Sequence, residues 1–193
     1  MKILKEILLT LLGAFAILFF LRVTGLLSNF SSVAQSVVMQ TGLLNANAEA
    51  ETSETFNYDF SLTDLSGHTI HVDQLKGKVI FLNLWATWCG PCKAEMAGIH
   101  KLYQEIASDD IAFVMLSLDK VQDKEKVAKY IHDKKFTFPV YLPTTYLTDQ
   151  LIVPSIPTTF IIDKNGNLVS KEIGTTNFNT KKFKKFIVEL SKK

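Results

Sequence analysis

Residues 85–93 read Trp-Ala-Thr-Trp-Cys-Gly-Pro-Cys-Lys and contain two cysteines separated by two residues. This stretch follows Val79–Leu84, a run that is apolar except for Asn83, and it leads into a segment with helical periodicity, Cys92–Ala107. It therefore marks the point where a buried strand gives way to a helix. The chain has two cysteines, Cys89 and Cys92, so they form a site and not a disulfide framework.

The predicted place of Cys89 at a helix start gives it a chemical role. Unpaired backbone N–H groups and the positive end of the helix dipole stabilise a thiolate there. Because the thiolate is the form that attacks a disulfide, Cys89 is the predicted nucleophile, and Cys92, one turn later, is predicted to resolve the mixed disulfide. Gly90 lets the backbone turn, and Pro91 fits the first helical turn, where its missing N–H costs nothing.

A zinc site is the structural alternative for such a cysteine pair, and the sequence does not favour it. Zinc would need two further cysteine or histidine ligands at a suitable spacing. His68 and His71 are three residues apart, but they lie on a predicted hairpin edge. We therefore predict no metal. We also predict no cofactor, since packing explains Trp85, Trp88 and Phe81.

From residue 56 onward, short apolar runs alternate with helical segments, which is typical of a mixed α/β layer fold. Ile111–Leu116 is a second buried run after Val79–Leu84, and the helix between the two predicts a strand–helix–strand unit with parallel strands. The other predicted elements are a hairpin of residues 60–62 and 69–71, a helix over Asp123–His132, a strand at Val140–Tyr141, a hairpin of Thr159–Ile162 with Leu168–Ile173, and a helix over Thr180–Leu190.

The N-terminal segment is apolar enough to cross a membrane. Ile7–Leu21 would extend over about 22 Å as a helix, and continuing the helix through residue 27 lengthens it to about 31 Å, provided that Arg22 lies near the far interface and extends its charge toward water. Since a hydrocarbon core is about 30 Å thick, residues 1–27 are predicted to be a transmembrane anchor. A cleaved signal peptide is the alternative, but the first small-x-small cleavage site, residues 46–48, lies far beyond the apolar run.

The charges around this segment predict the side on which the rest of the chain lies. Lys2 and Lys5 precede the apolar run, and no lysine or arginine occurs from Val23 to Leu75. Because lysine and arginine favour the cytoplasmic side, we expect a single-pass cell-membrane protein with its catalytic domain on the periplasmic side, an oxidising compartment. Residues 28–55 are then a juxtamembrane linker, and residues 56–193 form one globular domain.

The overall charge does not indicate a nucleic-acid partner. The net charge is +2, and the lysine pairs of the C-terminal half are scattered along the sequence. We interpret them as solvated faces, so no nucleic acid is expected among the partners.

With these motifs, the sequence resembles the thioredoxin superfamily, and specifically its membrane-anchored, extracytoplasmic TlpA/ResA-like branch. The resemblance extends over residues 56–193 and rests on Trp88–Cys92, Asp64–Gly67, Leu75–Lys78 and Ile156–Phe160. It implies a thioredoxin-like α/β fold, with a central mixed β-sheet flanked by helices and here an N-terminal transmembrane helix. It also implies a cis proline at Pro157 beside the active-site disulfide, with Ile156 and Pro157 positioning the substrate.

Two positions separate the sequence from thioredoxin itself. Where thioredoxins have a buried acid beneath the cysteines, the matching residue is Asn83, which cannot act as a base. Glu95 matches an acidic residue of the ResA-like branch and would assist the deprotonation of Cys92, one turn before it. A solvated glutamate that only favours the helix N-terminus is the alternative for Glu95. Gly90 and Ala97 replace an acid and a proline common in that branch, so its narrow substrate specificity does not carry over.

The resemblance implies an enzyme that reduces protein disulfides outside the membrane, with apocytochromes awaiting haem in cytochrome c biogenesis as one substrate class. A membrane thiol-disulfide electron donor would reduce it again. Trp88, Gly90 and Pro91, with Ile156 and Pro157, would form the substrate-binding surface. Two alternatives stay open. One is a thiol peroxidase, although the usual Pro-x-x-x-Thr-x-x-Cys pattern is absent, and the other is a tethered redox sensor or partner-binding module.

Overall fold

The computed structural model describes residue 6, residues 45–46 and residues 54–193 of the chain. The strands of residues 54–193 are β1 (Glu54–Thr55), β2 (Ser61–Asp64), β3 (Thr69–His71), β4 (Val79–Trp85), β5 (Ile111–Ser117), β6 (Val140–Pro143), β7 (Thr158–Ile162) and β8 (Asn167–Ile173). The α-helices of the same range are α1 (Gly90–Ile106), α2 (Lys124–Asp133) and α3 (Lys181–Ser191).

The eight strands form one mixed sheet in the order β1-β8-β7-β4-β5-β6-β2-β3. β4 pairs in parallel with β5, with Phe81 opposite Phe113, and antiparallel with β7 on its other side. β5 pairs in parallel with β6, while β7 and β8 form an antiparallel hairpin. The predicted α/β fold with a central mixed sheet and flanking helices is therefore confirmed.

β4 lies at the centre of the molecule because all seven of its residues are apolar or hydrogen-bonded and buried. Successive side chains of a strand point to opposite faces of the sheet, so β4 contributes to two separate cores. On one face, the Phe81 ring centroid lies 5.1 Å from those of Phe113 and Phe178, under α1 and α3. On the other face, Leu82 packs in a second cluster that includes Phe160.

The helix after β4 begins earlier than its apolar periodicity predicts. α1 starts at Gly90, two residues before the predicted start at Cys92, with Cys89 as its N-cap and Pro91 in its first turn. The difference has a simple cause. Glycine and proline break helices in their interior, but at the first turn proline loses no hydrogen bond, because no intrahelical acceptor exists there.

The predicted anchor, residues 1–27, and most of the predicted linker, residues 28–55, lie outside the described residues. No helix in the described part of the chain is both long enough and apolar enough to span a membrane. The described linker positions contact the sheet domain. β1 pairs antiparallel with the start of β8, and Asn45 forms a bridge with Asn177. The sequence does not predict these contacts, because Asn45 and residues 54–55 are polar and belong to segments too short to show an apolar pattern.

Candidate active site

Cys89 is the N-cap residue of α1, and its sulfur takes the place of a capping oxygen. Its backbone is extended, with φ −85° and ψ 106°. The backbone N–H of Cys92 donates to Cys89 Sγ over 3.1 Å, and Gly90 and Pro91 form the turn between them. This is the contact predicted to stabilise a thiolate at the helix start.

The two cysteines form a disulfide, and they differ in access to solvent. The S–S distance is 2.04 Å. Cys89 keeps 5% of its surface exposed, whereas Cys92 is fully buried. A molecule arriving from solvent therefore reaches Cys89 first.

The segment before β7 lies against the disulfide on the surface side. The Ile156–Pro157 peptide bond is cis, as the resemblance implied. Cys89 Sγ is 3.8 Å from the carbonyl oxygen of Ile156. Pro157 is buried, while Ile156 is partly exposed, so a backbone edge and an apolar side chain lie next to the more accessible sulfur.

An apolar groove runs along this edge. It has a volume of about 350 Å³. Trp88, which precedes the nucleophile position, has 64% of its surface exposed, and Ile152 has 71% exposed. The groove is lined by Trp88, Leu118, Leu151, Ile152, Val153, Ser155 and Ile156. A larger cleft of about 580 Å³, around residues 55–59 and 164–166, shares no lining residue with it.

Glu95 faces the interior, so its interpretation as a solvated first-turn glutamate is wrong. The residue is 1% exposed. Asn83 Nδ2 on β4 donates to Glu95 Oε1 over 2.8 Å, and the backbone N–H of Thr176 donates to Oε2 over 3.0 Å. Asn83 Nδ2 also donates to Thr159 Oγ1 on β7 over 2.8 Å. Asn83 and the backbone of Thr176 thus both hold the acid on the buried side of the cysteine helix.

Burial is the main influence on the acidity of Glu95. It raises the pKa of Glu95 from 4.5 to about 8, and the hydrogen bonds from Thr176 and Asn83 offset part of that effect. A carboxyl group with this pKa can both accept and release a proton near neutral pH.

Two further residues also belong to the site: Thr87, which lies within the cysteine motif without a predicted role, and Asp119, which no motif indicated. Asp119 is 4% exposed and lies just after β5. Its oxygens accept from the backbone N–H of Thr87 over 2.7 Å, from the Thr87 hydroxyl over 2.6 Å and from the Ser117 hydroxyl over 2.8 Å. The position of Asp119 at the carboxyl end of a buried parallel strand, beside the end of β4, is the signal that could have identified it.

The arrangement suits thiol-disulfide exchange. An accessible sulfur sits at a helix start, a second sulfur lies buried behind it, and a buried acid follows one turn later on the same helix. Within residues 54–193 and the described N-terminal positions, no group of three histidine, cysteine or carboxylate side chains is placed to hold a metal ion.

Comparison with known proteins agrees with this chemistry. The model of the AhpC/TSA family matches residues 56–171. The thioredoxin-like protein YneN of Bacillus subtilis is 37% identical over 118 residues, which are 61% of this chain and 69% of that protein. The thiol-disulfide oxidoreductase ResA of Bacillus cereus is 36% identical over 116 residues, covering 60% and 66% of the two chains. The crystal structure of StoA from Bacillus subtilis has a TM-score of 0.53 at 25% identity, covering 69% of this chain and 96% of that one.

The raised pKa of Glu95 predicts a pH-dependent stability. Between about pH 5 and pH 8 the folded protein retains a proton that the unfolded chain releases, because the pKa is about 8 in the fold and 4.5 when unperturbed. The free energy of unfolding should therefore fall as pH rises through this window. Relative to Glu95→Gln, the slope should approach about 1.4 kcal/mol per pH unit and vanish above the window.

Urea unfolding of the oxidised protein at steps of pH measures this slope. Glu105→Gln is the matched control, because Glu105 lies on the same helix with a largely exposed side chain and pairs with Lys184. The free energy of unfolding of Glu105→Gln should change with pH in parallel with that of the wild type. If Glu95→Gln also ran parallel, Glu95 would not be a protonated buried acid.

Proposed function

Because the chain belongs to the AhpC/TSA family of thioredoxin-like proteins, we propose that it reduces protein disulfides outside the cell membrane, anchored there by its N-terminal segment. It is a thiol-disulfide oxidoreductase. The observation that carries the proposal is the position of the Cys89–Cys92 disulfide, with the accessible sulfur beside Ile156 and the open apolar groove.

The proposed reaction passes two electrons from the protein to its substrate. In the reduced protein, the Cys89 thiolate attacks one sulfur of the substrate disulfide, a new S–S bond forms, and the other substrate sulfur leaves as a thiolate. The Cys92 thiolate then attacks Cys89 Sγ. This step breaks the mixed disulfide, releases the second substrate thiolate and forms the Cys89–Cys92 disulfide. A membrane dithiol donor reduces that disulfide again.

Cys89 is the proposed nucleophile, since it is the accessible cysteine and its sulfur already receives a backbone N–H. The same N–H would stabilise the thiolate in the reduced protein. Cys92, fully buried, is suited to attack only a sulfur already joined to Cys89.

The groove is the proposed substrate surface. Trp88, Ile152, Val153 and Ile156 present apolar side chains there, and unfolded protein segments expose apolar residues that such a surface binds. The carbonyl oxygen of Ile156 lies 3.8 Å from Cys89 Sγ, so a substrate backbone beside Ile156 would bring its disulfide to the nucleophile. Gly90 and Pro91 are small and half-buried at the helix start, so these two residues do not block a substrate that approaches Cys89.

Glu95 is the proposed proton acceptor for Cys92. Cys92 must lose a proton before it attacks, and bulk water does not reach a fully buried thiol. Glu95 is a buried carboxyl one turn further along α1, and its pKa of about 8 is close to that of an ordinary thiol, about 8.5. Proton transfer between groups of similar pKa needs little free energy.

The proposed location and substrates rest on the sequence. Lys2 and Lys5 before the apolar run, and the lack of lysine and arginine from residue 23 to residue 75, favour an outward-facing domain. Disulfides are common in that compartment. Apocytochromes awaiting haem are one proposed substrate class, because haem attachment needs reduced cysteines. The Gly-Pro dipeptide between the cysteines is typical of reducing relatives.

Substitution of the resolving cysteine should trap substrates. In Cys92→Ala, the mixed disulfide formed by Cys89 cannot be resolved, so intact cells should accumulate covalent complexes with several exported proteins. Apocytochromes with a Cys-x-x-Cys-His motif are expected among them. The complexes should sediment with membranes and disappear on reduction. Mass spectrometry of the purified complexes identifies the substrates.

Cys89→Ala is the matched control, and it should trap none of these proteins. A single partner, or none, would favour a redox sensor or binding module over an enzyme with many substrates. Cytosolic proteins as the captured set would contradict the proposed location.

The direction of electron flow predicts the reduction potential. A reductase should have a potential near that of thioredoxin, about −270 mV, whereas strong oxidants of this fold lie near −120 mV. Equilibration of the full-length protein with dithiothreitol and glutathione redox buffers, followed by alkylation of the free thiols, measures the potential over this range. A value near −120 mV would contradict the reductase proposal while leaving disulfide exchange itself intact.

The role of Glu95 predicts that one step slows and the other does not. In reduced Glu95→Gln, attack by Cys89 on a peptide disulfide should proceed at the wild-type rate, whereas release of the mixed disulfide should slow by at least about tenfold at pH 7. Rapid-mixing experiments with acid quenching resolve the two steps. Glu105→Gln should leave both rates unchanged. Equal slowing of both steps would instead indicate general damage to the site.

A further inference from the structure

The loop that carries the nucleophile is short and ends in an exposed ring. Ala86, Thr87 and Trp88 connect the end of β4 to the N-cap of α1. Trp88 has 64% of its surface exposed, so packing of its ring does not hold the loop. Other contacts must set where Cys89 stands relative to the groove.

Asp119 supplies those contacts from the end of the neighbouring strand. Both of its oxygens bind Thr87, Oδ2 through the backbone N–H at 2.7 Å and Oδ1 through the hydroxyl at 2.6 Å. Ser117 Oγ donates to Oδ2 as well, over 2.8 Å. Burial of a carboxyl group is unfavourable unless hydrogen bonds offset it, and here three short ones do. Two of the three go to one loop residue.

The same part of the chain is tied at two further points. The backbone N–H of Leu118 donates to the carbonyl oxygen of Trp85 over 2.8 Å, and the N–H of Cys89 donates to the carbonyl oxygen of Ala86 over 3.1 Å. Leu118 also lines the groove with Trp88. Leu118 and Asp119 therefore contact the end of β4, the nucleophile loop and one wall of the groove together.

We propose that Asp119 is a positioning residue for disulfide exchange: through Thr87 it holds Trp88 and Cys89 in register with the substrate groove. The proposal rests on the proposed roles of Cys89 and of the groove. Asp119 does not touch the reacting sulfur atoms. Its effect is on substrates large enough to contact both the groove and Cys89, because only these need the two surfaces to stay aligned.

This distinction gives the test. Thr87→Val removes the hydroxyl donor and keeps the shape of the side chain, whereas Thr87→Ser keeps the donor. With the reduced full-length protein in detergent, Thr87→Val should lower the second-order rate constant for its single-turnover reaction with insulin disulfides by about tenfold, and Thr87→Ser should stay within about twofold of the wild type. The reaction of Cys89 with a small disulfide, dithiobis(nitrobenzoate), should change by less than about twofold in both.

Asp119→Asn is the second variant, because it replaces one accepting oxygen by a donor that opposes Thr87. Asp119→Asn should lower the rate with insulin by about tenfold and change the rate with the small disulfide by less than about twofold. Ser117→Ala is the matched control. It removes a hydrogen bond from Asp119 without touching Thr87, and it should stay within about twofold on both substrates.

The outcomes separate this proposal from the proposed function. If the wild type fails to reduce insulin, the reductase proposal fails and this one fails with it. If the wild type reduces insulin and Thr87→Val does so equally well, only the positioning role is overturned. A parallel loss on insulin and on the small disulfide would also overturn it, because the substitution would then act on Cys89 itself or on the fold.

Discussion

The first turn of α1 is the constraint on which the site depends. A helix start leaves backbone N–H groups without intrahelical acceptors. Here Pro91 has no N–H to satisfy, and the N–H of Cys92 is taken by Cys89 Sγ. β4, buried on both faces, ends four residues before Cys89 and leads directly to this helix start. Capping of the helix and stabilisation of a reactive sulfur are therefore one interaction, and the two cores on either side of β4 keep it rigid.

In the proposed chemistry, two buried carboxyl groups act on the two cysteines from different elements. Glu95 lies on α1 with Cys92 and is held by Asn83 and by the backbone of Thr176. Asp119 lies at the end of β5 and holds the loop that leads to Cys89. Glu95 accepts two hydrogen bonds, and burial raises its pKa to about 8, which suits proton exchange. Asp119 accepts three hydrogen bonds, two of them from Thr87, which suits holding the loop in place.

The sequence predicts the centre of this structure better than its edges. β4, β5 and α1 follow from continuous apolar runs and a helix-start motif, which are local signals. The cis bond at Pro157 follows from family resemblance, because X-Pro dipeptides are mostly trans. β1 has two exposed residues and no apolar pattern, so nothing local indicates it. The inward orientation of Glu95 depends on Asn83, and the contact of Asp119 with Thr87 joins residues far apart in sequence. Contacts of this kind depend on which strands pair in the sheet, so no local sequence pattern predicts them.

The proposed chemistry needs the disulfide to have an outer and an inner side, and the fold supplies both. Ile156 and the groove lie at the surface beside Cys89, so a large substrate meets one sulfur only. Cys92 is sealed by packing, so the proton it loses must pass to a buried acceptor or wait for the site to open. An exposed acid at position 95 would be ionised at neutral pH and would hold a proton too weakly to receive one from a thiol. Burial of Glu95 thus supports its proposed role as the proton acceptor for a sealed Cys92.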